Sequence, residues 1–297
     1  MKPKIRAIAS FLFLITTMSL SKPSLTINNS TWQWQEWEGL PYLTCELLKD
    51  WQHGFFTQQF YPRTPEELIQ VLEPQAAVYR VKQVHGNTVL TPQEIAAISS
   101  EEVTFPDADG IITDSSDCGV WVASADCNPV LIGDCVTGRV AAIHAGWRGT
   151  AQRIVPNAIA RLQAAGSNLS DLRIAIGPAI SGEVYQVGEN VAAEVGKSIL
   201  VEKIDRDVWS ERLYEEDKEE ILQKLFAMKN SPLLEDEHTG RVRLDVRRVN
   251  QIQLQQLGID NEQIAIAPYC TYQDSDYFFS YRRSKQKKVQ WSGIVSS

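Results

Sequence analysis

The sequence predicts one α+β domain in which mixed β-sheets are flanked by helices. Short apolar runs bounded by Gly, Asp and Pro crowd the middle third and mark it as strand-rich. From Thr150 the apolar residues recur at helical spacing. No repeat, low-complexity tract or Pro/Gly-rich linker divides the 297 residues.

Taken in order, Thr31-Trp-Gln-Trp-Gln-Glu-Trp37 alternates aromatic and polar residues and reads as a strand. In Arg63-Thr-Pro-Glu-Glu67, Thr64 is an N-cap, Pro65 takes N1 and Glu67 closes a capping box, starting a helix that runs to about Glu73. A strand from Ala77 to Val84 then delivers His85 to a Gly86-Asn87 turn. Gly110–Thr113, Gly119–Ala123, Val130–Ile132 and Arg139–Ile143 are further strands, the last two joined as a hairpin through Asp134–Gly138. Ile154, Val155, Ala158, Ile159 and Leu162 mark one face of a helix spanning Thr150 to Gly166, with Pro156 in its first turn or at a kink. Leu172–Ile176 is a buried strand stopped by Gly177-Pro178. Val191–Leu200 and the charged stretch Asp205–Lys229 are helical, and a loop covers Asn230-Ser-Pro and Glu235–Gly240. Leu244–Leu257 is a helix with Gly258 past its end, and Gln263–Ala267 is a strand leading to Cys270.

Residues 1–27 form an apolar lead outside the fold, leaving 28–297 as the domain. Lys2, Lys4 and Arg6 before Ala7–Leu20 have the layout of a signal peptide, without a clean small-x-small cleavage site. A start codon assigned too far upstream gives the same pattern. Five cysteines without framework spacing suit a reducing compartment, so the expected location is cytoplasmic, with export as the alternative. The apolar stretch is too short to span a bilayer securely. A net charge of −8 argues against a nucleic-acid partner, and the one dense basic run, from Arg282 to Lys288, reads as a solvated turn.

His85, Cys127 and His144 each stand where a strand-like run breaks into a turn. Singly, such residues are commonly core or surface residues; together they make a candidate metal site. Two imidazoles and a thiolate suit zinc, and three ligands leave a fourth position open, as chemistry requires. In Ala145-Gly-Trp-Arg-Gly149, Arg148 is a candidate phosphate contact, with Gly149 and Gln83 as further substrate contacts. Gly177–Gly182 is a weaker backbone cradle, and Asp107-Ala-Asp-Gly110 and Asp114-Ser-Ser-Asp117 read as turns rather than calcium loops.

Lys82-Gln-Val-His85-Gly, Ala108-Asp-Gly110, Ala125-Asp-Cys127, Ile143-His-Ala-Gly-Trp-Arg-Gly149, Ile176-Gly-Pro178, Tyr185-x-Val187, Leu244-Asp245, Cys270-Thr-Tyr272 and Phe278-Phe-Ser-Tyr-Arg-Arg283 occur in that order. From about Trp32 to the C-terminus the chain resembles the YfiH-like family, also called multicopper polyphenol oxidase or laccase-domain proteins. The resemblance implies a layered fold like that of cysteine hydrolases, metal ligands at His85, Cys127 and His144, and zinc-dependent purine nucleoside phosphorylase activity. Adenosine, inosine and guanosine are the implied nucleosides, with adenosine deamination and methylthioadenosine cleavage alongside. Arg283–Trp291 departs from the family's acidic residue and Thr-Gly-Arg.

A multicopper oxidase needs a mononuclear copper and a trinuclear cluster, whereas this chain has four histidines and no His-x-His pair. One metal is the ceiling, and Cu2+ would compete with Zn2+ for the same site. Two other readings stay open: a cysteine hydrolase with Cys127 as nucleophile and His144 as base, for example one editing cell-wall precursors, and a non-catalytic zinc protein. For phosphorolysis Asp126, next to Cys127, is the candidate acid for the departing purine.

Overall fold

The alternating run after Thr31 forms β1 (Trp32–Trp37), which turns through Glu38 and Gly39 into β2 (Leu40–Cys45). Both turn residues have positive φ, 50° and 78°, the two-residue geometry that matches strand twist. This computed structural model describes residues 31–98, 105–200 and 215–297, so the expected boundary at residue 28 lies outside the described residues. β3 (His53–Phe56) follows, and the capping box at Thr64 starts α1 (Pro65–Leu72) as expected. Next come β4 (Ala77–Tyr79), β5 (Val89–Leu90), α2 (Pro92–Ile98), β6 (Gly110–Ile112) and β7 (Cys118–Ser124).

The expected strand to Val84 stops at Tyr79. The Gln83 side chain explains why: its Nε2 donates to the Ala123 carbonyl at 2.8 Å, and its Oε1 accepts the Ala123 N–H at 2.7 Å. A side-chain amide thus takes the backbone groups of β7 that a continuing β4 would have paired.

β8 (Asn128–Asp134) and β9 (Val140–Ala145) form the expected hairpin, entirely buried along both strands. The helix expected from Thr150 is two helices, α3 (Trp147–Ala151) and α4 (Ile154–Ala164), separated at Arg153 with φ 59°. Pro156 is the third residue of α4, where an amide hydrogen has no intrahelical acceptor to lose. β10 (Leu172–Ile176), β11 (Gln186–Gly188), α5 (Glu189–Leu200) and α6 (Glu215–Phe226) follow; the first part of the expected 205–229 helix lies outside the described residues. The expected loop pieces at Asn230-Ser-Pro and, past Glu235, up to Gly240 flank β12 (Leu233–Glu235), which pairs with β13 (Arg241–Leu244). Leu244 therefore ends a strand, and Asp245 caps α7 (Val246–Gln256) by accepting the Arg248 N–H. The chain closes with β14 (Ile264–Ile266), α8 (Tyr281–Ser284) and β15 (Gln290–Val295).

These elements form a layered α+β fold. One sheet has the order β1-β2-β3-β15-β7-β4, a second β14-β10-β8-β9-β6-β5, and a third β11-β13-β12. Phe55, Val120, Val122, Leu131, Ala142, Ala175 and Ile294 join the two large sheets in one core. At Gly177 an added Cβ would lie 2.2 Å from the Phe55 ring, so glycine there permits the close approach of the sheets. The outer face of the second sheet packs on α4 and α7 through Val130, Ile132, Ile159 and Leu254. Each fully buried aliphatic side chain of this kind contributes about 1.5–3 kcal/mol. Among the described residues no helix is long and apolar enough to cross a membrane.

Candidate active site

The second sheet brings the three sequence-predicted ligands together. His144 is the penultimate residue of β9, Cys127 immediately precedes β8, and the β8/β9 register opposes Pro129 to His144. His85 reaches them from a turn in which its own φ is 61°. The ligand atoms of His85, Cys127 and His144 lie within 4.8 Å of one another, and the two imidazoles meet edge to face.

One fully buried carboxylate organises both histidines. Asp109 Oδ1 accepts from His144 Nδ1 at 2.8 Å and from the His85 N–H at 2.9 Å. Its Oδ2 accepts the N–H groups of Gly86 at 2.7 Å and Val84 at 3.2 Å. The Asp109 carbonyl also accepts the His144 N–H at 2.7 Å. With Nδ1–H directed at Asp109, His144 presents Nε2 to Cys127. Sequence reading treated Asp109 as turn chemistry; nothing in its spacing shows that it bridges two distant histidines.

Burial opposes ionisation of the Cys127 thiol, but the neighbouring His144 and His85 overcome it and draw its pKa to about 6. Burial alone would make His144 harder to protonate, and Cys127 and Asp109 reverse that, raising its pKa. Burial also works against the Asp109 carboxylate, yet its bonds to His144 and the His85 turn leave its pKa below the ordinary value. Without a metal the three groups thus favour a thiolate, an imidazolium and a carboxylate, each stabilising its neighbour's charge.

Cys127 follows a second strained residue, Asp126, with φ 93°. Its Oδ1 accepts the Thr271 hydroxyl and its Oδ2 the Arg282 N–H, each at 2.7 Å. The C-terminal segment thus fixes the turn that carries Cys127. Arg283 ties that segment together through the carbonyls of Thr271, Tyr272 and Phe278. The basic run is therefore a solvated turn only at its lysines, because both arginines are structural.

The other predicted contacts separate. Arg148 is exposed, its guanidinium stacked 4.3 Å from the Trp147 ring centroid. Gly149 is buried, and a Cβ there would lie 2.8 Å from the Gly86 carbonyl, so this glycine packs α3 against the His85 turn. Gly146, the first glycine of the same motif, lies against the cluster: a Cβ there would lie 2.9 Å from Cys127 Sγ. Gln83 has both amide atoms on Ala123, and within Gly177–Gly182 the glycines pack on Phe55 and Asp245 rather than forming a cradle. A pocket of about 30 Å³ opens beside Cys127. A larger groove, about 700 Å³, begins beyond Ser181 at the start of α7 but reaches none of the three ligands. The convergent titratable groups mark the smaller pocket as the candidate place for chemistry.

Residues 63–222 and 204–295 match the family described as multi-copper polyphenol oxidoreductase laccase. The chain belongs to this family. A purine nucleoside phosphorylase of Synechocystis sp. is 54% identical over 274 residues, spanning 92% of this chain and 100% of that protein. An adenosine deaminase, RL5, from an unknown prokaryotic organism is 25% identical, covering 63% of this chain and 61% of its own length. The crystal structure of a YfiH protein from Bacillus licheniformis superposes with a TM-score of 0.66 at 25% identity, covering 86% of this chain and 96% of that one. The YlmD structure from Geobacillus stearothermophilus gives 0.70 at 22% identity over 89% and 98% of the two chains.

Proposed function

We propose that this protein is a zinc-dependent purine nucleoside phosphorylase that cleaves adenosine, inosine and guanosine, with methylthioadenosine cleavage and adenosine deamination as further activities. The carrying observation is the 54% identity to a purine nucleoside phosphorylase over that protein's full length. The deaminase activity draws on the more distant relative of that name. Two imidazoles and a thiolate converging within 4.8 Å fit a borderline-soft divalent ion. His85, Cys127 and His144 would hold zinc, with copper the competitor, and the ion would supply a Lewis acid for phosphate. One such cluster among the described residues does not provide the several coppers of a polyphenol oxidase.

In phosphorolysis a phosphate oxygen bonds to C1′ as the C1′–N9 bond breaks, and its electron pair leaves with the purine, which takes up a proton. Asp109 holds His144 and the His85 turn in place. Arg148, exposed beside Trp147, is assigned to phosphate charge. Asp126 is better suited to positioning Cys127 than to protonating the purine, since both its oxygens already accept hydrogen bonds. Gln83 and Gly149 are assigned likewise to positioning the His85 turn. We assign the enzyme to the cytoplasm, without a nucleic-acid or membrane partner.

The Cys127, His144 and Asp109 series also fits a cysteine hydrolase, which is the second reading. Phosphate-dependent release of hypoxanthine from inosine by the zinc-loaded protein tests the first. Metal-free His85→Ala protein that turns over substrate through a covalent Cys127 adduct would establish the second instead.

A further inference from the structure

Asn128 is 1% exposed, yet its Nδ2 has no protein acceptor within hydrogen-bonding reach. Buried amides ordinarily find a partner, because leaving one unpaired destabilises the fold. Its backbone opens β8 opposite Ala145, so the ladder needs nothing from the side chain. Strand alternation puts that side chain on the face shared by Val130 and Ile132, toward the helices. There Asn128 lines the pocket beside Cys127, with Ala145, Trp147, Tyr185 and Val246 around it. Asp126 shares the wall, but its oxygens are taken by Thr271 and Arg282. About 30 Å³ is room for one oxygen-sized group.

We infer that Asn128 is a substrate-recognition residue whose side-chain amide donates to an acceptor oxygen of the ligand, from phosphate or from ribose, inserted beside Cys127. This rests on the phosphorylase reading above. The unpaired donor is held in reserve for substrate, which explains a buried Nδ2 without an acceptor in the protein. A site built to pair a ligand oxygen discriminates strongly against ligands that leave its donor unpaired.

The test compares Asn128→Leu and Asn128→Asp with wild type in zinc-loaded protein, measuring KM for inosine and phosphate, kcat and thermal midpoint. Leucine is expected to raise one KM ten- to a hundredfold while the thermal midpoint holds or rises, since an unpaired buried amide has been removed. A rise confined to phosphate assigns the oxygen to phosphate, and a rise confined to inosine assigns it to ribose. Aspartate matches the size but lacks the donor, so it is expected not to restore the KM. Unchanged KM values in the leucine variant, wild-type behaviour of the aspartate variant, or loss of thermal stability in parallel with activity would each overturn the proposal. Calorimetric binding of inosine and of inorganic phosphate keeps the two claims apart. Wild type that binds without turnover defeats the phosphorylase reading alone, and Asn128 then stands or falls on whether leucine weakens binding; wild type that binds neither ligand defeats both.

Discussion

Asp109→Asn exchanges one carboxylate oxygen for an amide that can only donate. If the remaining oxygen keeps His144 Nδ1 and the His85 N–H, the new NH2 faces the donors of Gly86 and Val84, formerly held at 2.7 and 3.2 Å. Hydrogen bonds to a charged group are worth roughly 1.5–3 kcal/mol each, so losing two costs about 3 kcal/mol at the lower end. That lower end applies because Val84 and His85 are exposed and Gly86 half-buried, so water can take up the released N–H groups. The turn must be ordered to bind metal, so the same loss weakens zinc affinity by about a hundredfold. Competition against a chromophoric chelator measures the affinity, and thermal unfolding of the metal-free protein measures the stability. The carboxylate pKa is depressed on folding, so its stabilisation is full above the unfolded carboxylate value and is lost as pH falls through the folded value. The variant is therefore expected to flatten the acid limb of the stability profile. Unchanged zinc affinity with normal folding would refute the claim that Asp109 organises the ligands.

Elemental analysis is expected to give about one zinc per chain, falling sharply in His85→Ala and His144→Ala; three or four coppers with blue absorbance would return the oxidase reading. In chelator-treated protein, iodoacetamide is expected to alkylate Cys127 with a midpoint near pH 6, and zinc to protect it. A midpoint at the ordinary thiol value would remove the imidazole–thiolate pairing. Arg148→Ala is expected to raise phosphate KM ten- to a hundredfold, about 1.4–2.7 kcal/mol, while adenosine deamination persists. Equal loss of both activities would place Arg148 elsewhere in the mechanism. Thr271→Val removes one hydrogen bond from the Asp126 turn and is expected to cost about 1 kcal/mol of stability with a modest loss of zinc affinity.

Much of the layered fold was legible because strands and helices carry local signals. The Thr64 capping box, the apolar runs of β7 to β10 and the helical face from Ile154 to Leu162 all appear where their patterns place them. The convergence of the candidate metal cluster was legible for a similar reason: His85, Cys127 and His144 are chemically distinctive residues at strand ends. What failed to show was action at a distance. Gln83 ends β4 by bonding Ala123, and Asp109 joins two histidines, yet neither role leaves a trace in neighbouring residues. β12 and β13 escaped notice because they are short and partly exposed, and β15 because the basic run before it reads as a solvated turn.

The position of β15 sets a schedule for folding. It lies between β3 and β7, bonded to both, although those strands occur far earlier in the chain. During synthesis from the N-terminus, β3 and β7 wait with open edges until β15 leaves the ribosome. Sheet closure is a late, non-local event, and such pairings fold slowly. The same late segment carries Thr271 and Arg282, which fix the Cys127 turn, so a nascent chain has its histidine ligands before it has a settled thiolate. Competence to retain metal is thereby deferred until the segment from Thr271 to Arg282 has emerged.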